Sequence, residues 1–101
     1  MSETIELFRK SKVLSLTHIA HMRILKVQPS KDHPDGFKVN FLIVDTEKNK
    51  PVFLIDSHEP FGYHFHPTPD KDHSIRVPLD VSDPFEALSI FEKKMKEYEK
   101  K

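Results

Sequence analysis

The stretch FKVNFLIVDTEKNKPVFLID, residues 37–56, reads as a β-hairpin and decides the fold class. Phe37, Val39, Phe41 and Ile43 recur at period two and share one face, while Lys38 and Asn40 take the other. That alternation is the pattern of a strand buried on one side only. The polar run at residues 46–50 turns the chain into PVFLID, the expected antiparallel partner. Pro51 suits the start of that second strand, where no ladder N–H is required of it.

Upstream of the hairpin, QPSKDHPDG at residues 28–36 holds two prolines, two aspartates and a glycine, and reads as a loop. Residues 13–27 (VLSLTHIAHMRILKV) are β-rich and long enough for one long strand or two short ones. Residues 3–10 (ETIELFRK) are expected to form a short N-terminal helix with Ser2 as its N-cap. Downstream, a turn around Pro60 and Gly62 leads to a short strand at residues 63–66. A second polar loop, PTPDKD, then precedes a last strand within HSIRVPL.

The C-terminal segment carries the strongest helix signals. Asp83 is a natural N-cap, Pro84 suits the first helical position, and Glu86 is placed to complete a capping box. Phe85, Leu88, Phe91, Met95 and Tyr98 follow three or four apart and form one apolar stripe for docking on the sheet. The fold class expected is α+β in a single domain, residues 1–101. It would be a mainly antiparallel sheet of three to five strands with the C-terminal helix across one face.

Composition narrows the function classes. Lys+Arg and Asp+Glu balance at 16 each, so no global field draws the chain onto nucleic acid or membrane, and contact with RNA would need only a local patch. Arg9, Lys10, Lys12, Arg23 and Lys26 read either as such a patch or as a solvated face. The chain has no cysteine, which removes disulfides, thiolate metal sites and cysteine nucleophiles. With Gly36 and Gly62 the only glycines, no phosphate-cradling Gly-rich loop can be built. No serine stands in a nucleophile-elbow pattern. No apolar run approaches a membrane span, and residues 1–4 lack a basic region followed by an apolar one, so a cytoplasmic protein is expected.

Histidine carries the chemistry. Of seven histidines, His58, His64, His66 and His73 fall within sixteen residues, beside Asp56, Glu59, Asp70 and Asp72. On an extended segment His64 and His66 project to one face, with Tyr63 and Phe65 anchoring the other. Two chemistries suit such a pair. One is metal-independent acid/base catalysis, because imidazole exchanges protons near neutral pH. In RNA cleavage one ring takes the 2′-hydroxyl proton and the other protonates the leaving oxygen. Arg76, Lys71 or Lys50 would then bind the phosphate and stabilise its added charge. The alternative is a divalent metal such as zinc on His64 and His66, with a third ligand from His58, Asp56 or His73. Histidines on a strand and its loops also occur as exposed side chains that simply meet solvent. His18 and His21, three apart, fall on opposite strand faces, and His33 reads as a turn residue.

The run FLIDSHEP, then Phe61, His64 and His66 in a Phe-x-x-His-x-His pattern, then a helix opening DPFEALSIFEKKM, resembles the small TumE-type toxins of prokaryotic toxin–antitoxin systems. The resemblance spans about residues 37–95. It implies a toxin that interferes with RNA or translation, neutralised by an antitoxin encoded beside it, with Asp56, His58, His64 and His66 at the matching positions. The residues alone also admit a non-catalytic interaction or regulatory module, whose sheet edge or C-terminal helix binds another protein.

Overall fold

The computed structural model describes residues 4–31, 33–58, 62–69, 71 and 74–99. They form one six-stranded antiparallel sheet with a single helix against one face. The strands are β1 (Ile5–Val13), β2 (His18–Lys26), β3 (Phe37–Asp45), β4 (Lys50–His58), β5 (Gly62–His66) and β6 (Val77–Pro78), followed by helix α1 (Pro84–Tyr98). Each strand pairs with its chain neighbours, so the sheet order is the chain order. The α+β expectation holds, with six strands rather than three to five.

The extra width comes from the N-terminal segment. Residues 5–10 are not a helix. They belong to β1, paired with β2 from Ile5↔Lys26 to Val13↔Ile19. Helix propensity over so short a span is weak, and pairing along a ready β2 edge overrides it. A register slip between Glu6 and Phe8 sets Phe8 on the helix side and Arg9 on the other. The turn at residues 14–17 contains neither Gly nor Pro. It is closed instead by Leu14 and Ser15 N–H groups donating to the His18 carbonyl at 2.9 and 3.3 Å.

The β3–β4 hairpin forms as expected. Asp45 Oδ1 accepts from the Glu47 and Lys48 amides at 3.0 and 3.1 Å, and Asn49 takes the left-handed conformation with φ 53°. The amide bonds, Lys48 foremost, hold the Asp45 carboxyl below its ordinary value. Pairing slips once, between Ile43↔Phe53 and Val44↔Pro51, which leaves Val52 as the extra residue. Gly36 (φ 79°) closes the β2–β3 loop where Val27 N–H meets its carbonyl at 2.8 Å. A Cβ there would meet the Val27 oxygen at 3.2 Å in a backbone region that side chains avoid.

The core lies between α1 and one face of β2–β5. Ala20, Met22 and Ile24, then Val39, Phe41 and Ile43, then Phe53 and Ile55 form that face. Asp83 caps the helix, accepting from Phe85 and Glu86 N–H at 2.8 and 2.9 Å, with Pro84 at the first turn. Glu86 takes the Ser82 hydroxyl. The buried stripe differs from the expected one. Pro84, Ala87, Phe91 and Met95 face the sheet, while Phe85 is 57% exposed. Phe91 meets Phe41 and Phe53 with ring centroids 5.4 and 6.1 Å apart, and that contact selects the face. His18 is buried on this side, 5.0 Å from the Tyr98 ring, with Nδ1 2.8 Å from the Thr17 hydroxyl. Among the described residues no helix is long and apolar enough to cross a membrane.

Candidate functional site on the open sheet face

The face away from α1 carries the candidate residues. Side chains alternate along each strand, so every residue paired across strands with a member of a row shares its face. The register Arg9↔Arg23, Arg23↔Asn40, Asn40↔Asp56, Asp56↔His64 and His64↔Pro78 therefore draws one row across all six strands. The adjacent row runs Ser11, His21, Leu42, Leu54 and His66.

His64 and His66 share this face as expected, with ring centroids 5.0 Å apart and planes at 75°. Tyr63 and Phe65 turn to the core side and pack there. Phe65 lies 5.5 Å from the Phe53 ring, and the Tyr63 hydroxyl donates to Asp35 at 2.8 Å. Burial, reinforced by the Asp35 carboxylate, pushes the Tyr63 phenol well above its ordinary value.

Both imidazoles are only 1% exposed. They are not solvent-exposed strand residues. The His64 Nδ1 lies 2.7 Å from the Gly62 carbonyl, and since a carbonyl only accepts, Nδ1 carries a proton. In the neutral ring Nε2 then holds the lone pair. Asp56 stands directly opposite His64, and its Oδ1 accepts the Ser57 N–H at 2.8 Å.

The other candidates distribute unevenly. Arg76 precedes Val77, which pairs with Phe65, so it follows on beside His66; its Nη1 donates to the Ser74 carbonyl at 3.2 Å. Lys71 is exposed in the loop after β5, where its amide donates to the Thr68 carbonyl at 3.0 Å. Lys50 opens β4, six residues before Asp56, hence roughly 20 Å along the strand and away from the site. The His58 backbone pairs with Gly62 at the end of β4, but its side chain and the whole of His73 lie outside the described residues. So do Glu59, Pro60, Phe61, Asp70 and Asp72. Among the described residues no group of three histidines or acids is placed to hold a metal ion.

Sequence offered Arg9 and Arg23 as part of a basic patch or a solvated face, but did not place Ser11, His21 and Asn40 beside them. Arg9, Ser11, His21, Arg23 and Asn40 wall a shallow depression of about 190 Å³ on this face. Arg9 Nε and Arg23 Nε reach the same Glu6 Oε2, at 3.2 and 3.4 Å, and Ser11 Oγ lies 2.8 Å from His21 Nδ1. The alternation of His21 and Arg23 with the buried Ala20, Met22 and Ile24 was a legible hint of this face; the register that joins them to β1 was not. Lys12 points the other way and pairs with Glu99 beyond the end of α1 at 2.9 Å.

Fold and site thus define a six-stranded meander with one covering helix and a polar row across its open face. Compared with protein-family models, with curated proteins and with solved structures, the chain matches none.

Proposed function

We propose that the chain is the toxin component of a toxin–antitoxin pair and cleaves RNA without a metal, using His64 and His66 as its acid/base pair. The observation that carries this reading is the pair of imidazoles on one face, 5.0 Å apart, with Asp56 directly across from one of them. His64, its Nδ1 proton held by the Gly62 carbonyl, offers Nε2 to take the 2′-hydroxyl proton. The freed 2′-oxygen attacks phosphorus, and His66 protonates the departing 5′-oxygen, leaving a 2′,3′-cyclic phosphate. Asp56 orients His64 and offsets its charge once protonated; Arg76 and Lys71 hold the phosphate. Cleavage requires RNA to gain access to rings that are covered in the structure. An antitoxin encoded beside the gene would be the cognate protein partner.

The test is expression in a bacterial host together with cleavage of RNA by the purified chain. Growth arrest and cleavage that both disappear in His64→Ala and His66→Ala, with the fold retained by circular dichroism, support the reading. Unchanged cleavage in both variants sinks it.

The 1% exposure of the two rings favours a second reading, a non-catalytic interaction module whose imidazoles brace β4 against β5. Here neither variant alters RNA, both lower stability, and the chain co-purifies with the product of an adjacent reading frame.

A further inference from the structure

Arg9 and Arg23 face each other across β1 and β2 on the open side of the sheet. Like charges directly opposite destabilise a strand pair. Among the described residues Glu6 alone bridges them, and one carboxylate shared by two guanidiniums leaves an excess of one positive charge. Both guanidiniums are about half exposed, with side-chain accessibilities of 61% and 47%, and so are accessible to a ligand. Beside them the depression offers the Ser11 hydroxyl, the His21 ring and the Asn40 side chain as further polar partners. Planar guanidiniums suit a phosphate, which accepts two parallel hydrogen bonds from each.

The position of this cluster gives it a direction. It opens the row that continues through Asn40 to Asp56 and His64. Three strand spacings separate Arg23 from His64, roughly 14 Å. A chain of phosphates lying across the strands would meet the arginines at one end and run toward the covered imidazoles at the other. Asp56, the carboxylate in the row, is half-buried, and its Oδ1 accepts the Ser57 N–H.

We infer that Arg9 and Arg23, with Ser11 and Asn40 beside them, form a phosphate subsite that holds single-stranded RNA across the open sheet face, leading it toward His64. This rests on the RNA reading above but concerns binding rather than chemistry. Glu6 is the internal competitor that the RNA phosphate displaces.

The experiment is fluorescence anisotropy of a labelled short oligouridylate over a range of salt. In the double variant Arg9→Gln, Arg23→Gln, affinity falls about tenfold or more. The slope of log K against log salt shrinks by about 0.7 for each phosphate that is no longer neutralised. Glu6→Gln moves affinity the other way, tightening it, because it frees both guanidiniums. The control Lys93→Gln, Lys96→Gln removes the same charge from exposed positions of α1 and leaves binding unchanged. Equal weakening in the control, no change in the arginine variant, or equally effective competition by a polyglutamate peptide overturns the subsite. The two proposals fail separately. Binding that depends on the arginines without any cleavage keeps the subsite and removes the ribonuclease. Cleavage with unchanged KM in the arginine variant does the reverse.

Discussion

Asp56 on β4 and His64 on β5 are direct cross-strand partners on the face away from the helix, with the His66 ring 5.0 Å from that of His64. Such a pair couples two strands as well as two chemistries. Opposed side chains in an antiparallel ladder contribute about 0.2–1 kcal/mol beyond alanine. A double-mutant cycle of Asp56→Ala and His64→Ala, followed by urea unfolding, should return a coupling in that range. A coupling of zero would mean that the two groups merely share a face.

Phe91 closes the core between Phe41 and Phe53, whereas Phe85 stands in solvent. Phe91→Ala should therefore cost about 3–5 kcal/mol, and Phe85→Ala less than about 0.5 kcal/mol. Urea midpoints of the two variants check this, and similar losses at both positions would refute the helix orientation.

Asp83 satisfies two amides at the start of α1. Asp83→Ala should lower stability by about 1 kcal/mol, and Asp83→Ser should restore most of it, because a serine hydroxyl caps nearly as well. Thermal unfolding by circular dichroism provides the measurement.

Among the described residues, Asp45 and Tyr63 each give stability a pH dependence. The Asp45 carboxyl is held low chiefly by the Lys48 amide; desolvation opposes this, and the Glu47 amide adds to the lowering. Its contribution is full above the unfolded carboxyl value and is lost as pH falls through the lower folded one. Asp45→Asn should flatten the acid limb of the stability curve below about pH 4. Tyr63 behaves oppositely in direction. Burial first, then the Asp35 carboxylate, raises its phenol, so stability is full below the unfolded value and declines as pH climbs above about 10. Tyr63→Phe should remove that alkaline decline while costing about 1 kcal/mol at neutral pH for the missing bond to Asp35. A decline that persists in the phenylalanine variant would assign it to another group.

How much of this was legible depended on where each signal resides. The β3–β4 hairpin and the start of α1 are written locally, in the period-two run from Phe37 and in the Asp83–Pro84 pair, and both form as read. β1 is an edge strand exposed on nearly every residue, so it carries no burial alternation for a reader to find. The turn at residues 14–17 draws on main-chain bonds to His18 instead of glycine or proline, which hides it. For α1, spacing pointed to an apolar stripe but not its rotation, which Phe91 sets through contacts distant in sequence. His64 and His66 were legible as a same-face pair, yet their burial depends on what covers the open face. The Arg9–Arg23 pairing depends on a register slip at Leu7 that composition does not record.

The chain-order sheet with its helix last has a consequence during synthesis. Each hairpin closes against the strand made just before it, so the meander can assemble progressively as it leaves the ribosome. The helix that covers Ile24, Phe41 and Phe53 is residues 84–98 and emerges only after every strand. Through that interval the nascent protein presents a paired sheet with a bare oily side. The interval before the helix emerges is then the most aggregation-prone, and the one at which a chaperone, or a partner made alongside it, has most to shield.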